Sequence, residues 1–207
     1  DDEEEYSIDV IQPEKIEFKQ NSYEDGENSI ISFPEFLLLV LDVCTGGEQP
    51  ASHYQPDKLI EKFDALKTHF TAGEFYEKML YYRLLLDYYT IRRDIKDGQG
   101  NYSLILKGPK DDSDKLKQYQ SMLYVSTEAF YNWLKPYLRK LEQDELQSCA
   151  EMLAFLKKED NERHGVLPAR KDLSYKASGN IRYWFWRLDY YLWEQRSLSL
   201  IHISEPT

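Results

Sequence analysis

Two sets of residues in this chain could do chemistry: four histidines and one run of basic side chains. His53, His69, His164 and His202 are of the type that ligates metals or carries protons near neutral pH. They are scattered, and none has a partner at metal-ligand spacing. No P-loop, dinucleotide fingerprint, nucleophile elbow or HExxH helix is present. Asp97-Gly98-Gln99-Gly100 reads as a turn, for which its glycines and Asn101 suffice. The basic run is Arg163, Arg170, Lys171, Lys176 and Arg182. On a loop, Arg170, Lys171 and Lys176 could meet nucleic-acid phosphates, although a solvated linker explains them more simply. No residue is assigned a catalytic, cofactor-binding or metal-binding role.

The elements that would position such groups are helices. Ser32 and Glu35 have capping-box spacing, with Pro34 in the first turn, and predict a helix from Phe33 to Cys44 that Gly46 and Gly47 end. Leu59, Ile60, Phe63 and Leu66 give an amphipathic helix within Asp57 to Phe70. Gly73 to Asp94 reads as a long helix, with Arg83 and Asp87 at i, i+4. Tyr102 to Leu106 is a short strand. Leu116 to Val125 is a further helix. Another, capped by Thr127, carries Trp133, Tyr137, Leu138 and Leu141 inward, and Pro136 should kink or break it near Asn132. Asp144 and Gln147 open the next, with Cys149, Leu153 and Leu156 in its core. A polar loop over 161–179 leads to a last helix that Asn180 can cap. The fold class is therefore mainly α: a multi-helix bundle with at most a short hairpin or extended segment.

Two of these helices are apolar on two sides. In Asn180 to Arg196, Ile181, Trp184, Phe185, Leu188, Tyr191 and Leu192 share one face. Tyr183, Trp186, Tyr190 and Trp193 share the other. Seams of opposite charges, Arg182 with Asp189 and Arg187 with Glu194, lie between them. In Gly73 to Asp94, Phe75, Met79, Tyr82, Leu86 and Tyr89 oppose Leu80, Leu84, Tyr88 and Ile91. A helix apolar all round is expected to be covered all round.

Composition limits the function classes. The 207 residues are 42% hydrophobic, enough for a real core, and no apolar run approaches transmembrane length. Cys44 and Cys149 are isolated, which argues against a disulfide framework and for a reducing, cytoplasmic setting. Residues 1–28 hold eleven acidic and two basic residues, so most of the net charge of −11 sits there. Residues 1–31 are read as an acidic, poorly ordered segment with a strand at Lys15 to Lys19. The nearly neutral remainder lacks the basic footprint of a dedicated nucleic-acid-binding domain.

The order of helical motifs resembles a known family. SFPEFLL from Ser32, LIEKF from Leu59, YRLLLDYYTIRRD from Tyr82, QSMLYVS from Gln120 and RYWFWRLDYYLWE from Arg182 together resemble the bacterial GmrSD-like proteins. These join an N-terminal ParB-like NTP-hydrolysing domain to a C-terminal HNH nuclease domain. The likeness runs from about Ser32 to Arg196. It implies a modification-dependent DNA restriction endonuclease, with NTP and a divalent metal bound by the two flanking domains. The family's DGQQR and HNH motifs are not in this stretch, so no catalytic residue carries over. Residues 32–160 are expected to be a helical connector and 161–179 a linker. Residues 180–196 would be the first helix of the nuclease domain, whose remainder should cover Tyr183, Trp186, Tyr190 and Trp193. The opening DDEEE reads as cut from a longer chain. SLSLIHISEPT at 197–207 resembles translated sequencing adapter, so His202 is given no weight. A non-enzymatic helical scaffold or interaction module is the alternative.

Overall fold

The computed structural model describes residues 26–96, 101–110, 113–126, 128–143, 145–165 and 181–196. Seven helices and a three-stranded antiparallel sheet make up these residues, so the fold is mainly α. The Lys15–Lys19 strand, the Asp97–Gly100 turn, the caps expected at Thr127, Asp144 and Asn180, and the basic residues Arg170, Lys171 and Lys176 lie outside them.

Helix α1, Phe33–Cys44, begins as the Ser32–Glu35 pair predicts. The Ser32 amide donates to the Glu35 carboxylate at 2.7 Å, and the Glu35 amide donates to Ser32 Oγ. The same reciprocal cap starts α3, Ala72–Tyr89, at Thr71 and Glu74, and α6, Cys149–His164, at Ser148 and Glu151. Each cap contributes about 1 kcal/mol. Leu38, Leu39, Val40 and Leu41 are all fully buried, so α1 is the central rod of the core. It packs on α2, Leu59–Leu66, and on α3. Beyond them, α5, Phe130–Glu142, leans on α3 and α6, and α4, Ser113–Val125, lies between α6 and α7, Ile181–Arg196. Trp133, Tyr137, Leu138 and Leu141 face inward on α5, as their spacing predicts.

The sheet corrects the expected end of the third helix. That helix stops at Tyr89, and Ile91–Ile95 is strand β2, paired with β1, Gly26–Ser29, and with β3, Tyr102–Leu106. Side chains enforce the switch. The Ile91 amide donates to Gln120 Oε1 at 2.9 Å. Gln120 Nε2 and the Tyr137 hydroxyl donate to the Tyr89 carbonyl, at 3.0 and 3.1 Å. The last helical carbonyl and the first strand amide are thus both satisfied from outside, and β-branched Thr90 and Ile91 favour extension. Part of the segment expected to be loose is ordered: β1 belongs to the sheet, and Ile30 and Ile31 enter the core.

Three further expectations change. Pro136 does not break α5. Its missing N–H leaves the Asn132 carbonyl without a helical donor, and Arg163 Nη2 donates to that oxygen instead. Ile60 is exposed rather than inward. The third helix is covered on one side only: Phe75, Tyr82, Leu85 and Leu86 are buried, while Tyr76, Leu80, Leu84 and Tyr88 face out.

Candidate functional site

Titratable groups gather where α6 ends beneath α7. Met152, Leu156 and Asp160 follow one another at four-residue spacing along the inward side of α6, with His164 one turn further on. The side chain of Asp160 is 1% exposed, a buried charge that needs partners. Tyr119 from α4 and Tyr183 from α7 both donate to its Oδ2, at 2.6 and 2.7 Å. Arg187 Nε lies 3.9 Å from the same oxygen. Arg187 also donates to the Tyr183 hydroxyl at 2.9 Å and to Asn161 Oδ1. The Asp160 carboxylate therefore joins three helices through a single oxygen.

A second carboxylate stands beside it. Glu128, just ahead of α5, lies 3.0 Å from His164 Nε2 and 3.7 Å from Arg163 Nη1, and it accepts from Asn132 Nδ2 at 2.7 Å. His164 Nε2 is 3.8 Å from Asp160 Oδ1, and its ring stacks on Tyr183 with centroids 4.0 Å apart. Asp160 Oδ1 and Arg163 Nη1 are buried without a hydrogen-bond partner among the described residues.

The electrostatics follow from this packing. Burial alone would raise the Glu128 carboxyl, but hydrogen bonds from His164 and Asn132 outweigh it and hold the group below its ordinary range. Burial, and then the Asp160 carboxylate, push the Tyr119 and Tyr183 phenols well above theirs. The phenols are thus fixed as donors and the Glu128 carboxylate as an acceptor. Chemically the cluster is a charge-assisted clamp. Among the described residues no group of three or more His, Cys, Asp or Glu side chains could hold a metal ion.

The clamp reverses the expected orientation of α7. Tyr183 and Tyr190, placed on the face that a missing domain would cover, are 0% and 4% exposed and belong to the core shared by α1 to α6. Trp186 and Trp193 are half-buried against that core. Leu188, expected inside, is 54% exposed, and Phe185 and Leu192 are open beside it. Trp184 is half-buried rather than covered. The physical reason is in the Arg187–Glu194 seam. It forms the middle of the buried face, not its border, because its charges find partners on α6. Arg187 meets Asp160 and Asn161, and Glu194 accepts from Lys157 Nζ at 2.7 Å. Lys157 also lies over the Tyr190 ring. By its packing, then, α7 belongs to the same core as residues 32–165.

The candidate residues fall apart as follows. Arg163 is drawn into the clamp, Arg182 is exposed, and the three central basic residues lie outside the described structure. His53 is a core residue with Nε2 2.8 Å from the Leu38 carbonyl, and His69 is on the surface. Reading the sequence missed Glu128, Asp160 and His164 as a set. Only the four-residue spacing from Met152 to Asp160 signalled that a charge had been placed on a buried ridge.

Two other features complete the surface and core. Asp42, fully buried, accepts from the Tyr54 hydroxyl, from the Gln49 amide at 2.8 Å and from Lys135 Nζ at 3.0 Å. This pins the loop after α1 to α5. An apolar cleft of about 550 Å³ opens between α1, α2 and α3, lined by Phe33, Phe63, Phe70, Phe75 and Met79 with Lys67 among them. No helix among the described residues is long and apolar enough to cross a membrane.

Comparison with protein-family models, with curated proteins and with solved structures finds no match to the chain.

Proposed function

We propose that the chain is the helical connector of a GmrSD-like, modification-dependent DNA restriction endonuclease acting in the cytoplasm. In this reading the connector stands between an NTP-hydrolysing ParB-like domain and an HNH nuclease domain. The flanking domains would bind NTP, divalent metal and DNA. The connector holds them in register and passes on the state of the first to the second.

The observation that carries the reading is the two-sided character of α7. Its inner face is clamped to α4 and α6 through Asp160, and its outer face offers Phe185, Leu188 and Leu192. A rigid helix with one face locked and the other apolar is suited to seating a neighbouring domain in a fixed pose. The order of helical motifs from Ser32 to Arg196 supports the same assignment.

The test is made on the complete reading frame. It should encode DGQQR upstream and an H…N…H pattern within tens of residues downstream. Its product should cleave DNA carrying modified bases in the presence of NTP and Mg²⁺, and should lose this activity when the downstream histidine is changed. A complete product without nucleotide-dependent nuclease activity, or flanks without these motifs, would overturn the reading in favour of a helical scaffold.

A further inference from the structure

The outward side of α3 carries a ridge that this function does not use. Tyr76, Leu80, Leu84 and Tyr88 follow at four-residue intervals and are all exposed, Leu84 by 68%. At 100° per residue they spread evenly about the point opposite the buried Tyr82 side chain. The four ridge side chains carry no charge. By the same geometry exposed Glu77 and half-buried Asp87 fall within the ridge's angular range and exchange places on reversal about position 82. Asp87 is paired with Arg83 Nε of its own helix at 2.8 Å and with Arg92 at 3.5 Å, so Glu77 of one copy faces a paired carboxylate of the other.

The order Tyr–Leu–Leu–Tyr reads the same in both directions. Reversed about position 82, Tyr76 falls on Tyr88 and Leu80 falls on Leu84. That is the condition for an isologous contact, in which residue i meets j and j meets i. Rows at i±4 are inclined to the helix axis, and two of them run alongside each other when the helices cross at about 50°, the commonest packing class. Area agrees. Large side chains present about 150–250 Å² each when fully exposed. With exposures of 41–68%, the ridge and adjacent Tyr81 offer roughly 500 Å² per copy. Covered completely, two copies bury about 1,000 Å², the least that a specific interface needs.

We propose that α3 is a self-association surface, whose occupant is α3 of a second copy of this chain, antiparallel, with Leu80 of each copy against Leu84 of the other. The contact is independent of the α7 face, and its test does not depend on nuclease activity.

The test is the mass of the 207-residue chain in solution at micromolar concentration, by sedimentation or light scattering. The expected result is twice the chain mass of 24.7 kDa. Leu80→Glu alone and Leu84→Lys alone should each give monomers with an unchanged helical circular-dichroism spectrum, since both sites are exposed. Mixed in equal amounts, the two variants should form a heterodimer, because the carboxylate introduced at position 80 of one copy then faces the ammonium introduced at position 84 of the other. Leu188→Ser should leave the dimer intact. A monomeric parent chain overturns the proposal. So does a dimer that survives both α3 changes, or a pair of variants that does not recombine on mixing.

Discussion

The Tyr183 hydroxyl donates to Asp160 Oδ2 at 2.7 Å, and through this bond α7 is fastened to α6. Tyr119 reaches the same oxygen from α4, so the carboxylate is shared by two phenols. Asp160→Leu would leave both hydroxyls without their acceptor, and Arg187 without its carboxylate partner, in a buried site. Breaking one partner of a buried charged network costs about 3–5 kcal/mol. Urea unfolding of the variant should show a loss in that range. The tryptophans at 184, 186 and 193 should report release of α7 before the rest of the chain unfolds. Tyr119→Phe and Tyr183→Phe should be non-additive by at least about 0.5 kcal/mol, as expected where two donors share one acceptor. Strict additivity would refute the shared-acceptor description.

A second cycle concerns Pro136. Arg163 supplies the donor that proline withholds from the Asn132 carbonyl. Arg163→Ala should cost about 1–3 kcal/mol through an unsatisfied acceptor. Pro136→Ala restores an N–H at the position that can bond this oxygen within the helix. The double variant should therefore be more stable than Arg163→Ala alone. If Pro136→Ala gives the same change in both backgrounds, Arg163 is not compensating for the proline.

The pH profile of stability has two limbs. The Glu128 carboxyl is held below its ordinary range in the folded chain. Its contribution is thus present above the unfolded value, about 4.3, and is lost as pH falls through the lower folded value. Glu128→Gln should flatten this acid limb. The Tyr119 and Tyr183 phenols are raised. Their contribution is complete below the unfolded value of about 10 and is lost as pH rises beyond it. Tyr183→Phe should lessen the alkaline limb, to which the buried phenols of Tyr54, Tyr82, Tyr137 and Tyr190 also contribute, and leave the acid limb in place. Denaturation midpoints measured across the pH range will show whether each change acts on its own limb.

Much of the fold was legible because local signals agreed with it. The Ser32–Glu35 cap, the inward row of Trp133, Tyr137 and Leu141, and the Tyr102–Leu106 strand each rest on spacing alone. What spacing could not show was which side of a two-faced helix would be covered. In α7 the seam of Arg187 and Glu194 looked like a boundary because charge normally marks the solvent side. Their partners, Asp160 and Lys157, stand 27 and 37 positions earlier in the sequence, and only the tertiary fold brings them together. The end of α3 was hidden for a similar reason. Gln120 and Tyr137 hold the Tyr89–Ile91 switch from two other helices. The clamp itself was partly legible, in the placement of Asp160 on the ridge begun by Met152 and Leu156.

The two faces of α7 should respond in opposite ways to substitution. Phe185, Leu188 and Leu192 are open. Leu188→Ser combined with Leu192→Ser removes apolar surface without breaking a core contact. Substitutions at such sites usually shift stability by no more than about 0.5 kcal/mol. The pair should leave the unfolding midpoint nearly unchanged and raise solubility, since an exposed apolar patch promotes association. Tyr190 is the counter-example. It is 4% exposed, packs edge-on to Tyr119 with centroids 4.8 Å apart, and lies under the Lys157 ammonium. Tyr190→Ala should cost about 3–5 kcal/mol, in the range for removing a large aromatic from a core. Trp186→Ser and Trp193→Ser should fall between the two, because both rings are half-buried against the same core. Thermal melts of these variants would separate the faces. A destabilising Leu188→Ser with a silent Tyr190→Ala would mean that α7 is turned the other way.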